Sequence, residues 1–256
     1  MSRSLWRLSA VGVVLGGALA LVVFAPAQWL AAGVARATGA RVQLLEPVGT
    51  LWGGSARLVL GAGSGSQAHT SLPGRLHWRL TPSLQGLQLG LRAPCCMAQS
   101  WTWRVTPSSS GIHLRIADQT SLWPSELLAG LGTPWNTLQL KGTLSLRTQQ
   151  LSLQWHGQRW SMAGQVQLDA TNVSTSLSTL NPIGSYRMQM VGGESPTLTL
   201  STLEGSLQLS GTGRIAAGRL QFDGEATAAP QREQTLANLL NIIGQRDGAR
   251  AILKVG

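Results

Sequence analysis

Apolar and polar residues alternate with a period of two through most of this chain. In Arg75-Leu76-His77-Trp78-Arg79-Leu80 every even position is apolar. The same rhythm sets Leu87, Leu89 and Leu91 against Gln88, Gly90 and Arg92, and Trp101, Trp103 and Val105 against Thr102, Arg104 and Thr106. It continues through Ile112 to Ile116, Leu138 to Arg147, Leu151 to Trp155 and Trp160 to Leu168, and then in the pairs Met188/Met190, Leu198/Leu200, Leu207/Leu209 and Leu220/Phe222. Successive side chains of a strand point to opposite faces, so this pattern predicts strands with one face buried and one wet. Turn residues separate the runs at Pro107 to Gly111, Thr148 to Gln150, Gly157-Gln158, Gly192-Gly193 and Gly211 to Gly213. Turns every ~8–12 residues predict an antiparallel meander. The fold class is therefore mainly β, as a curved meander sheet, a sandwich or a barrel. The apolar face is the core side. The other face carries Arg, Gln, Ser and Thr, and its outward arginines also protect the sheet from edge-to-edge association.

Two later segments break the rhythm and predict short helices. Leu122 to Leu131 has Pro124 near its start and Gly130 or Gly132 near its end. Pro230 to Ile243 places Leu236, Leu239, Leu240 and Ile243 at i, i+3, i+4 and i+7, a single apolar stripe. Pro230 suits its first turn and Gly244 its C′ position. Ala251 to Val255 predicts a short closing strand.

The amino terminus differs from everything after it. Arg3 and Arg7 precede an uncharged run from Leu8 to Ala35, and Ala10 to Phe24 is almost wholly Val, Leu, Ala and Gly. About 20 apolar residues cross a bilayer, and Trp6 and Trp29 bracket the run as interfacial aromatics do. The predicted organisation is a cytoplasmic stub over 1–7, a transmembrane helix over 8–30 and a β-rich domain over 31–256. The positive-inside rule puts the two arginines in the cytoplasm and the domain in the periplasm of a bacterium. A cleaved signal peptide is the rival reading, with Ala25-Pro26-Ala27 as its A-x-A site. Both readings export the domain.

Composition narrows the chemistry. Only 12% of the 256 residues are charged, and 20 basic residues against 10 acidic ones give a net charge of +10. Two cysteines exclude a disulfide scaffold and a four-cysteine zinc site. Cys95-Cys96 is vicinal, not C-x-x-C, and reads as a structural or incidental pair. His77, His113 and His156 fall on polar strand faces, His69 stands apart, and no pair has metal-ligand spacing. Asp118, Glu126, Asp169 and Glu225 are scattered, and no G-x-S-x-G or H-E-x-x-H motif occurs. The expectation is a protein without catalytic residues, metal or cofactor. Gly61-Ala62-Gly63-Ser64-Gly65 lacks the Lys-Ser/Thr ending of a phosphate loop and reads as a flexible turn. Ten tryptophans in a basic chain raise a nucleic-acid reading, but Trp78, Trp101, Trp103 and Trp155 lie on apolar faces and the arginines spread along the chain. A positive surface beside an anionic membrane accounts for the charge instead.

Four stretches together resemble one family. They are Val48 to Ala56, Leu76 to Pro82, Leu180 to Arg187, and a tail with Phe222 to Ala226 followed by Leu236 to Gly244. With the amino-terminal run, their order resembles the type II secretion system protein N family over essentially the whole chain. The resemblance implies a single-pass inner-membrane protein, an accessory of the machine that moves folded proteins across the outer membrane. Its implied partners are other secretion components, the inner-membrane platform and secretin-side proteins. The family supplies no catalytic residues to carry over. A looser similarity to AsmA-like proteins implies a lipid-binding or lipid-handling module, with phospholipid as its ligand. The motifs nominate Trp52, Gly53, Trp78, Pro182, Gly184, Tyr186, Leu239 and Leu240 as structural or partner-contact residues. Glycines around Trp52 suit a tight bend or bulge, and Asn181-Pro182-Ile183-Gly184 suits a turn with φ fixed at Pro182 and relaxed at Gly184.

Overall fold

The computed structural model describes residues 2–63, 69–109, 111–157, 159–216 and 218–256; for residues 2–11, 14 and 255 it describes the backbone alone. Two helices open the chain, α1 (Ser2–Val23) and α2 (Ala27–Ala37). Then come β1 (Val42–Gly49), β2 (Gly53–Gly61), β3 (His69–Ser71), β4 (Leu76–Ser83), β5 (Gly86–Arg92), β6 (Trp101–Ser108), β7 (Gly111–Ile116) and β8 (Gln119–Pro124). A 3-10 turn (Ser125–Leu131) and α3 (Trp135–Leu138) lead to β9 (Lys141–His156), β10 (Arg159–Ser174), β11 (Gly184–Gly193), β12 (Thr197–Gly205), β13 (Leu207–Ala216) and β14 (Arg219–Ala228). The chain ends with α4 (Glu233–Ile243), β15 (Gln245–Asp247) and β16 (Arg250–Val255).

All sixteen strands belong to one antiparallel sheet. Its path runs β1-β2-β4-β5-β6-β7-β9-β10-β11-β12-β13-β14-β16-β15, with β3 on β2 and β8 on β9. Because the path ends at β15 without returning to β1, the sheet is open. The alternatives of a sandwich and a closed barrel are set aside. The predicted alternating runs are strands, since burying every second residue needs no more than a pleat and a covered face. Two details differ: the run expected from Leu138 starts only at Lys141, after Leu138 ends α3 and Gln139 turns at φ 45°, and the turn expected at Gly211 to Gly213 lies inside β13.

Helices and irregular segments cover the apolar face in two places. Leu44, Leu76, Trp78, Trp101, Ile116 and Leu151 form one core cluster, with Leu30, Ala31 and Val34 of α2 packed against it. Ile183, Tyr186, Leu207, Ala226 and Ala251 form the other under Leu236, Leu239 and Leu240 of α4. The predicted stripe of α4 is thus the covering surface, with Leu236 wholly inaccessible. Each such leucine stabilises the fold by about 2 kcal/mol through burial.

Several boundaries differ from expectation for local reasons. The helix expected over 8–30 is two helices. Pro26 lacks an N–H and drives Ala25 away from helical backbone, so α1 stops at Val23 and α2 starts at Ala27. Trp29, expected to bracket a membrane span, lies on α2. Residue 31, the expected start of the domain, falls inside α2 as well. Among the described residues, no helix is long and apolar enough to cross a membrane. The turn expected at Thr148 to Gln150 is a bulge within β9. Gln150 takes φ 48°, and its N–H donates to Asp118 Oδ1 at 2.6 Å. The helix expected from Leu122 begins only at Ser125 and is a 3-10 turn, because Leu122 to Pro124 pair with β9. Gly244 is no left-handed cap. It is extended at φ −162° and passes straight into β15, where an added Cβ would meet Ile252 O at 2.5 Å. Ala251 to Val255 does form a strand, but β15 lies outside it at the edge. Parts of three expected turns, Ser64-Gly65, Ser110 and Gln158, lie outside the described residues.

Candidate functional site

Trp52, Gly53 and Trp78 meet at the turn between β1 and β2. The indole N–H of Trp52 donates to Val22 O at 2.7 Å, which satisfies a terminal carbonyl of α1. Leu51 N donates to Ala25 O at 2.7 Å, and Pro26 bridges to Thr50. On the other side, Leu80 N donates to Trp52 O at 2.7 Å, tying the turn into β4. Buried Trp78 donates its indole N–H to Thr50 O at 3.2 Å and Leu51 O at 3.1 Å. Its ring lies over Gly54, where a Cβ would stand 2.6 Å from the ring. Gly53 is exposed, and a Cβ there would meet nothing within 4 Å. This motif is therefore the joint that fastens the amino-terminal helix to the sheet.

Pro182, Gly184, Tyr186, Leu239 and Leu240 gather around the second core cluster. The Asn181–Pro182 peptide is cis, and the exposed proline delivers Ile183 into the core. Ile183 N donates to Val173 O at 2.8 Å, and Ile183 O accepts from Ser206 N at 2.9 Å and Leu207 N at 3.0 Å. The expected relaxed φ at Gly184 is not what this position needs: its φ is not positive. A glycine is required because a Cβ would stand 2.6 Å from the Tyr186 hydroxyl oxygen and 2.8 Å from Glu204 O. Burial pushes the Tyr186 hydroxyl above its ordinary pKa of 10.0, and among the described residues it has no hydrogen-bond partner. Leu239 and Leu240 are each 1% exposed, so both serve the core and neither is available to a partner.

The polar face carries its own geometry. Arg187 grips Asp169 across β10 and β11, with Nε–Oδ1 at 2.7 Å and Nη2–Oδ2 at 2.9 Å. The Arg187 hydrogen bond is the main cause holding the Asp169 carboxyl below its ordinary pKa, partly opposed by burial. A groove of about 920 Å³ lies over β2, β4, β5 and β6, lined by residues that include Gly53, His77, Arg79, Gly90 and Arg92. The arginines that seemed spread along the sequence are thus collected on one surface by the register of the sheet. Cross-strand pairing, invisible in the linear order, is what sequence reading missed here. Cys95 and Cys96 are joined in a vicinal disulfide beside this groove. Among the described residues, no group of three or more His, Cys, Asp and Glu is placed to hold a metal ion.

Residues 40–253 match the family model described as type II secretion system (T2SS), protein N. The chain belongs to this family. The match takes in every strand from β1 to β15, α4 and the sheet side of the joint at Thr50 to Trp52, while its helix side at Val22 to Pro26 lies outside the matched residues. No curated protein matches the chain. No solved structure matches it either. As a family member the chain is associated with the type II secretion machinery, and other secretion components are its implied partners.

Proposed function

We propose that this chain is a non-enzymatic accessory of type II secretion, held at the bacterial inner membrane by α1 and working in the periplasm by docking to other components. The observation that carries this reading is the joint at Thr50 to Trp52. It builds the helix into the sheet instead of leaving it as a leader. Ala25 and Ala27, the flanks of the A-x-A site, are each 2% exposed and lie against the sheet's first turn. That arrangement favours a retained helix over a cleaved one. Beyond the joint, α1 exposes Val13 at 74% and Leu19 at 67%, and Phe24 just after it is 74% exposed, an apolar surface left uncovered among the described residues. In backbone length alone a 22-residue helix, about 33 Å, equals the hydrocarbon core of a bilayer; the apolarity an anchor needs is taken from the sequence run that begins at Leu8. Arg3 and Arg7 then orient its start toward the cytoplasm.

The edges of the sheet are poor docking sites, contrary to a simple strand-addition scheme. At one end β1 is broken by a bulge with Glu46 at φ 51°, and α2 packs against it. At the other end β15 has only three residues. Both are devices that blunt an edge. The broad polar face remains as the docking surface.

A second reading as a lipid-handling module has one observation behind it. Between the two core clusters the apolar face is only half covered, with Met188 36% exposed and Val166, Leu168 and Leu200 part-buried. One experiment separates the readings: native mass spectrometry of the full chain extracted in mild detergent from its own membranes. Co-purified secretion components are the expected result. Recovery of phospholipid adducts with no secretion protein would overturn the docking function in favour of the lipid one.

A further inference from the structure

Between Glu46 and Asp118 the chain holds six arginines and no acidic residue. Glu46 accounts for two of them, with its carboxylate 3.2 Å from Arg57 and 3.9 Å from Arg75. The other four are Arg79, Arg92, Arg104 and Arg115, one on each of β4, β5, β6 and β7. The register puts all four on the same face. Arg79 opposes Gly90, which lies two residues from Arg92 on β5, and Gln88 opposes Arg104. Arg104 in turn stands directly opposite Arg115. His77, directly opposite Arg92, extends the same patch. Four adjacent strands span only about 14 Å, so the four guanidinium groups share one small area.

Such an arrangement is costly for the isolated fold. Like charges directly opposite on a sheet destabilise it. All four side chains are exposed, and none makes an ion pair or hydrogen bond among the described residues. An arginine set serving only to keep strand edges soluble would not need to be stacked on interior strands. The surface is also concave. The groove of about 920 Å³ runs over Arg79 and Arg92, and Gly53 and Gly90, the lateral neighbours of Arg79, leave its floor bare. Thr81, Gln88 and Thr102 add hydrogen-bonding groups along it.

We infer that this groove over β2 and β4 to β6, lined by Arg79 and Arg92 and flanked on the same face by Arg104 and Arg115, is a binding site for an acidic, extended segment of a partner protein. Charge complementarity requires an anion, and a guanidinium cluster matches carboxylates in paired geometry. A groove with a recessed floor fits a chain segment better than the flat surface of a bilayer. Nucleic acid is disfavoured because Trp101 and Trp103 pack in the core cluster and Trp78, though it borders the groove, is only 4% exposed, so among the described residues these rings offer no open platform for base stacking. The inference deepens the docking function and rests on it, by naming the surface and the chemistry of what it receives.

The test uses the full chain in detergent and a fluorescent poly-L-glutamate of about 20 residues, read by anisotropy at low and moderate salt. The wild-type chain binds, and binding weakens at least tenfold as salt rises, because several charge contacts are released together. The quadruple variant R79Q/R92Q/R104Q/R115Q loses at least tenfold in affinity, while R214Q/R219Q, at the far end of the sheet, leaves it unchanged. Gly53→Gln keeps every charge but fills the groove floor without a clash, and it also weakens binding severalfold. The R115Q single variant melts no lower than wild type, since it only removes a repulsion. Equal binding by wild type and the quadruple variant overturns the proposal, as does binding to phosphatidylglycerol vesicles with none to poly-glutamate. Loss of poly-glutamate binding with secretion components still co-purified rejects this site alone. Binding without co-purification leaves the site standing and rejects the secretion function.

Discussion

Single side chains decide how the two core clusters and the polar face hold. Leu239 is 1% exposed beneath α4, so Leu239→Ala leaves a cavity. Losses of about 2–5 kcal/mol are usual for such a change, and thermal unfolding followed by circular dichroism will show a clear drop in Tm. Leu203 is 45% exposed, and Leu203→Ala is the matched control, with an effect within about 0.5 kcal/mol. Asp169 offers a pH signature. Its folded carboxyl is held below the ordinary value of 3.8 by the Arg187 hydrogen bond, so the group contributes stability above the unfolded value and loses it as pH falls through the folded one. At neutral pH Asp169→Asn costs on the order of 1 kcal/mol, given the partly exposed partner. Denaturant titrations of the two proteins converge below about pH 4; a constant gap down to pH 2 would contradict the assignment.

At the scale of elements, the joint between α1 and the sheet rests on few contacts. Trp52→Phe keeps the ring and removes the donor to Val22 O, a loss of about 1 kcal/mol at that point. Limited proteolysis of this variant cuts faster between Phe24 and Pro26, while the melting of the sheet stays within a degree or two. Equal cutting rates would show that the indole does not hold the helix. Elements were legible in the sequence wherever burial follows a simple period. The strands from β4 to β7 and the stripe of α4 are of this kind. What escaped was set by partners distant in sequence. The bulge at Gln150 needs Asp118 to receive its N–H, and Thr148 accepts from Gln119 N at 3.2 Å, so residues that read as a turn stay inside one long strand. The strands β3 and β15, three residues each, are too short to show any period. Of the nominated residues, Trp52 was readable as part of a bend and Trp78 as an apolar strand position, but the helix that Trp52 captures was not. The arginine face depends on registers between four strands, and no linear pattern encodes those.

For the whole molecule, the open sheet and the amino-terminal helix joined to it form a platform whose two ends are blunted and whose polar face carries the arginine groove. The family resemblance, read over essentially the whole chain, is matched over residues 40–253, which leaves the amino-terminal run outside it. The strand order carries a further consequence. From β4 onward most strands lie beside the one made just before; β8 instead sits off the path on β9, and β15 and β16 exchange places. Contacts close in sequence form quickly and need no distant segment. A polypeptide that emerges amino terminus first can thus zip up hairpin by hairpin, leaving one ragged margin at a time, until the amphipathic α4 seals the second cluster.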